Sequence, residues 1–169
     1  MNNPTRSTYE RALDMLEARS RGVAELRRLL IRKGEPEAEV DAAIERLRAS
    51  GLLDDASFAR QLTRSKALGA GHSRRRIAQE LTKRGVDRTM ASEAIDQVFD
   101  DEAIDEDAAI ERVARKKLRM LAGLEPMIRR RRLYAYLARR GYDIDDINRA
   151  LSAVLDDPDM SSATDAQQP

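Results

Sequence analysis

The chain has 169 residues, of which 36% are charged, 41% apolar and only 4% aromatic, with no Cys, no Trp and a formal net charge of +1. Without Cys it can hold no disulfide scaffold, thiolate zinc site or Cys nucleophile, and no apolar run reaches the roughly 20 residues of a membrane span. Scarce Gly and Pro beside abundant Ala, Leu, Arg and Glu predict an all-α protein with a thin aliphatic core, and the N-terminus lacks the apolar stretch of a secretory signal, so a cytoplasmic location is expected.

In chain order, residues 1–8 carry no apolar period and are expected to be a flexible N-terminus. Leu13 and Leu16 then mark a first helix. Leu26 and Leu30 mark a second that ends at Gly34, and Val40, Ala43, Ile44 and Leu47 mark a third that ends at Gly51. The order then returns. Phe58, Ala59 and Leu62 lead to Ile77 and Leu81 before Gly85, followed by Ala91, Ala94, Ile95 and Val98. Ile110, Val113 and Ala114 lead to Leu133 and Leu137 before Gly141, followed by Ile147, Ala150, Leu151 and Val154. Each glycine thus has apolar residues eight and four before it and six, ten and thirteen after it, with a small residue at nine. The stripe before it is one helix face, the glycine is the left-handed residue that ends that helix, and the stripe after it is the next helix.

The pattern predicts three tandem three-helix repeats, at 9–53, 54–106 and 107–155, and a disordered acidic tail at 156–169. One such unit buries little core alone, so the repeats are expected to stack into an elongated, curved array. Asp54 and Asp55 are good N-caps for the helix carrying Phe58.

Charge is distributed unevenly. The third repeat holds 12 basic and 6 acidic side chains, whereas the tail holds none and 4. Paired cations precede each repeat glycine, as Arg32-Lys33, Lys83-Arg84 and Arg139-Arg140, where they complement the helix dipole. That effect does not explain the further clusters Arg74-Arg75-Arg76, Arg115-Lys116-Lys117 and Arg129-Arg130-Arg131-Arg132. Four consecutive arginines sweep roughly 300° of a helix, so most face outward. Tyr134, beside them and off the apolar stripe, suits base stacking or a protein contact.

Catalytic and metal chemistry find little support. His72 is the only histidine, and it stands outside any metal-ligand spacing. Gly69-Ala70-Gly71 fits neither a Walker loop nor a dinucleotide fingerprint and reads as a flexible turn. The acids from Asp96 to Asp107 lack EF-hand spacing and suit the start of the next helix. Met90, Met120 and Met127 read as core filler. No catalytic residue, metal ligand or cofactor is expected.

Several segments carry a resemblance to a known family. They are Glu25-Leu26-Arg27-Arg28-Leu29-Leu30-Ile31-Arg32-Lys33-Gly34, Gly51-Leu52-Leu53-Asp54-Asp55-Ala56-Ser57-Phe58-Ala59, Gly71-His72-Ser73-Arg74-Arg75-Arg76-Ile77 with Glu80-Leu81-Thr82-Lys83-Arg84-Gly85-Val86, and Arg139-Arg140-Gly141-Tyr142. From about Tyr9 to Leu155 the sequence resembles the RecX proteins, bacterial regulators of the RecA recombinase. The resemblance implies three three-helix repeats, binding in the helical groove of the RecA–DNA filament, and inhibition of recombinase, ATPase and coprotease activities. It implies no catalytic residue. The expected contact residues are Arg129, Arg130, Arg131, Arg132 and Tyr134, supported by Lys116, Lys117, Arg139 and Arg140, with Arg74, Arg75 and Arg76 as a second contact. They suit either an acidic protein surface or DNA phosphates. A monomer with weak direct DNA binding and no membrane contact is expected; a nucleic-acid-binding module and an adaptor for another protein are the alternatives.

Overall fold

The computed structural model describes residues 6–155, and among these the chain is helical with no strand. Nine α-helices follow one another: α1 Thr8–Ala18, α2 Val23–Arg32, α3 Glu37–Ala49, α4 Asp55–Arg64, α5 Arg74–Lys83, α6 Arg88–Asp101, α7 Glu106–Arg119, α8 Pro126–Arg139 and α9 Ile144–Leu155. A single π-helical turn, Ser65–Gly69, extends α4. The acidic tail lies outside the described residues. At the other end, helix begins inside the stretch expected to be flexible. Ser7 and Glu10 form a reciprocal capping box, and Thr8 is already buried, so two otherwise unpaired N–H groups of the first turn are satisfied.

The repeat pattern is the core. All eighteen matched apolar or small positions, six around each glycine, are at most 5% exposed. Gly34, Gly85 and Gly141 have φ of +88°, +90° and +89°, the left-handed conformation in which a Cβ is penalised. Each closes its helix in the same way, with its N–H bonded to the carbonyl three residues back at 2.9–3.0 Å.

The described residues fall into two compact units, one of residues 6–64 with 78–98 and the other of residues 65–77 with 99–155. In the first unit α1, α2 and α3 pack together around Ala12, Leu26, Leu30, Val40, Ile44, Leu47 and Leu53. Asp54 caps its own helix through Ala56 N–H at 2.9 Å. Asp55 instead reaches the start of α2, accepting from Val23 N–H at 2.8 Å. Gly22, which precedes Val23, has no side chain to cap α2, so α4 supplies the missing acceptor.

In the second unit α7, α8 and α9 pack mutually around Ile110, Ala114, Leu118, Leu133, Leu137, Ile147 and Leu151. Asp105 caps α7 by accepting from Asp107 and Ala108 N–H, as the acidic connection suggests.

The repeat glycines also make close contacts. A Cβ at Gly85 would overlap the Ala24 methyl near the start of α2, and one at Gly141 would lie 2.5 Å from Arg76 Cβ and 2.8 Å from Ser73 Oγ at the start of α5. Gly34 has nothing within 4 Å. The turn of the second and third repeats therefore seats on the start of a helix in the preceding repeat, whereas the turn at Gly34 makes no such contact among the described residues.

Candidate partner-binding surface

Leu133 and Leu137 are fully buried and fix the rotation of α8. Arg129, one turn before Leu133, is carried toward the core and is half-buried, with its Nε enclosed and unbonded among the described residues. Arg130, Arg131 and Arg132 are exposed and have no ion pair among the described residues. Tyr134 is half-buried against the core of the second unit, so it is less accessible than a free stacking residue. Met120 and Met127, 71% and 78% exposed, are surface residues rather than core filler. Met127 sits in the first turn of α8, ahead of the fully buried Leu133.

On α7 the buried residues Ile110, Ala114 and Leu118 set the inner face. Lys116 is exposed, and Lys117 lies with Nζ 5.1 Å from the Tyr136 ring centroid. Arg112, absent from the sequence-derived set, is exposed one helical turn before Lys116. Their i, i+4 spacing is the sequence signal that pairs them on one helix face.

Three of the expected contact arginines also make contacts within the fold. Arg140 Nε donates to Ala70 O at 2.9 Å, and its guanidinium stacks 3.7 Å from the Tyr136 centroid. Arg75 Nε donates to Gly141 O at 3.0 Å. Arg74 stacks on Phe99 at 4.1 Å and pairs with Glu106 at 3.3 Å. Such planar, multi-donor contacts suit arginine better than lysine. Arg76 and Arg139 are exposed, although Arg76 Cβ lies where Gly141 closes on α5.

The turn at Gly69-Ala70-Gly71 is tightly packed. Ala70 N–H bonds Ser65 O at 3.3 Å and His72 N–H bonds Lys66 O at 3.0 Å. Gly71 has φ +63°, and a Cβ there would overlap a Val113 methyl. Beside α9, Tyr142 is buried, which together with the nearby Glu106 carboxylate pushes its hydroxyl up to about 12. It is neutral at physiological pH. Among the described residues no group of His, Cys, Asp and Glu has the arrangement of a metal site, and no helix is long and apolar enough to cross a membrane.

Three three-helix repeats, with outward cations on α7 and α8, define a helical-repeat protein. Family models place it further. The first three-helix domain of RecX matches residues 9–47, the second 54–95 and the third 105–151. A protein named regulatory protein RecX from Mycobacterium ulcerans (strain Agy99) is 42% identical over 144 residues, covering 83% of this chain and 82% of its own. Another of that name, from Pelodictyon phaeoclathratiforme (strain DSM 5477 / BU-1), is 34% identical over 154 residues, or 91% of each chain. The crystal structure of RecX from Lactobacillus salivarius shares the fold, with a TM-score of 0.66 at 19% identity over 86% of this chain and 93% of that one. The chain belongs to the RecX family of regulatory proteins.

Proposed function

We propose that this protein regulates RecA by binding the RecA–DNA filament, in its helical groove, and inhibiting recombinase, ATPase and coprotease activities. It acts as a cytoplasmic monomer and needs no cofactor. The observation that carries the reading is the set of outward cations on α8, Arg130, Arg131 and Arg132, in a RecX-family chain. They suit an acidic or polyanionic partner. Repeated domains supply several contact surfaces on one chain, and simultaneous contacts on a repeating filament raise avidity without one strong site. A protein lying in the groove blocks a second DNA by occupying its path. The buried side of α8 and the arginines bonded to backbone carbonyls keep this surface in place.

The test is DNA-stimulated ATP hydrolysis by RecA, titrated with the protein at two salt concentrations, beside DNA binding by the protein alone. Inhibition at concentrations too low to coat naked DNA supports a filament-directed regulator. Strong salt-sensitive DNA binding with RecA unaffected replaces it with a nucleic-acid module. No effect in either assay leaves an adaptor for another protein.

A further inference from the structure

The turn after α4 and the outer face of α7 enclose a cavity of about 210 Å³. Arg112, Lys116 and Arg140 line it, and no acid does. Arg112 and Lys116 are exposed and have no ion pair among the described residues. Arg140 is held in place through its Nε bond to Ala70 O. Its terminal guanidinium nitrogens make no hydrogen bond among the described residues. Apart from Tyr136 and the backbone of the turn, the remaining side chains of the wall are aliphatic. Leu68 is 49% exposed there, beside the half-buried Val113. The backbone of the turn is fixed by the π-helical bonds and by the contact of Gly71 with Val113, so the cavity is preorganised and binding needs little ordering.

Two features choose the occupant. Three unopposed cations call for an anion, and the exposed leucine beside them calls for an apolar group next to that anion. A nucleobase stacked on Tyr136 is disfavoured, because Arg140 covers the ring at 3.7 Å and Lys117 lies 5.1 Å from its centroid. A bare phosphate makes no use of Leu68. We infer that this cavity anchors an acidic–apolar segment of a partner protein, with its carboxylates on Arg112, Lys116 and Arg140 and a Leu- or Phe-type side chain against Leu68 and Val113. The inference rests on the proposed function only in taking the partner to be a protein. Its test contains neither RecA nor DNA filament, so the two fail separately.

The experiment is fluorescence anisotropy with three labelled probes. One is the acetylated peptide Gly-Asp-Leu-Asp-Phe-Asp-Gly, the second has Ala in place of its Leu and Phe, and the third is an oligothymidylate. The first peptide is expected to bind about tenfold more tightly than the second, a gain attributable to apolar burial. Arg112→Glu with Lys116→Glu is expected to weaken it about tenfold or more. Leu68→Ser is expected to remove the preference between the peptides, and Arg130→Glu with Arg131→Glu to leave it intact. All five substituted positions are exposed, so unfolding midpoints should match the wild type. Failure of the first peptide to bind, equal binding of both peptides, or indifference to the Arg112/Lys116 reversal overturns the inference. Oligothymidylate binding lost on that reversal, with the peptides unbound, overturns it in favour of nucleic acid.

Discussion

In the first three-helix domain, cations meet acids at close range. Arg11 reaches Glu35, Arg27 lies between Glu37 and Asp41, and Arg19 and Arg21 share Glu25. In the third, Arg130, Arg131, Arg132, Arg139 and Lys116 find no acid among the described residues. Both domains bury the same six positions around their glycine, so the difference is one of surface chemistry on a shared frame. Pairing at the surface contributes little stability, about 0–1 kcal/mol per pair. Neighbouring unpaired cations repel one another, and an opposing partner surface relieves that repulsion. Each domain holds both kinds of cation, since Arg28, Arg32 and Lys33 of the first are exposed and Arg115 and Arg149 of the third are paired. What sets the third apart is the run of exposed arginines on one helix.

The sharpest way to break this comparison lies at the repeat glycine itself. Gly34→Ala meets only the left-handed backbone penalty, about 1–2 kcal/mol. Gly141→Ala adds overlap with Arg76 and Ser73, for a total of about 3 kcal/mol or more. Equal losses in urea unfolding would mean that the Gly141 turn is not a packing site. A smaller effect separates the two kinds of arginine. Arg75→Ala removes a charge-assisted bond to Gly141 O and should cost about 1–3 kcal/mol, whereas Arg131→Ala should change stability by no more than about 0.5 kcal/mol. Matching melting curves would erase that distinction.

The smallest effect expected is present near neutral pH and fades in acid. Thr8 and Arg11 hold the buried Glu35 carboxyl below its ordinary value of 4.5. Its contribution to stability is therefore complete above pH 4.5 and lost as pH falls through the lower folded-state value. Glu35→Gln should lower the thermal midpoint at pH 7, with the deficit shrinking as the solution is acidified below pH 4.5. A deficit constant with pH would show that packing, not charge, is what Glu35 contributes.

The fold was legible because helical periodicity depends on local spacing. Leu26 and Leu30 before Gly34, or Leu133 and Leu137 before Gly141, state which face is buried without reference to any distant residue. The surface was only partly legible, since a run of cations reveals charge but not its acceptor. Arg75 and Arg140 bond carbonyls 66 and 70 residues away, and no local pattern announces that. The turn at Gly69-Ala70-Gly71 reads as flexible until Val113, on another helix, is seen against Gly71. Met120 and Met127 resemble core residues by type, and only their places, just past the end of α7 and in the first turn of α8, put them outside. Arg112 is paired with Lys116 by its spacing, but the approach of Arg140 from the end of α8 is visible only in the fold.

The most direct measurement is co-sedimentation of the protein with RecA filaments assembled on single-stranded DNA, comparing wild type with Arg130→Glu/Arg131→Glu/Arg132→Glu. Arg129 is left in place because its half-buried stem packs toward the core. The expected result is filament retention by the wild type and its loss in the variant, with helicity and unfolding midpoint unchanged. Full retention of a folded triple variant would contradict the assignment of α8 as the binding surface.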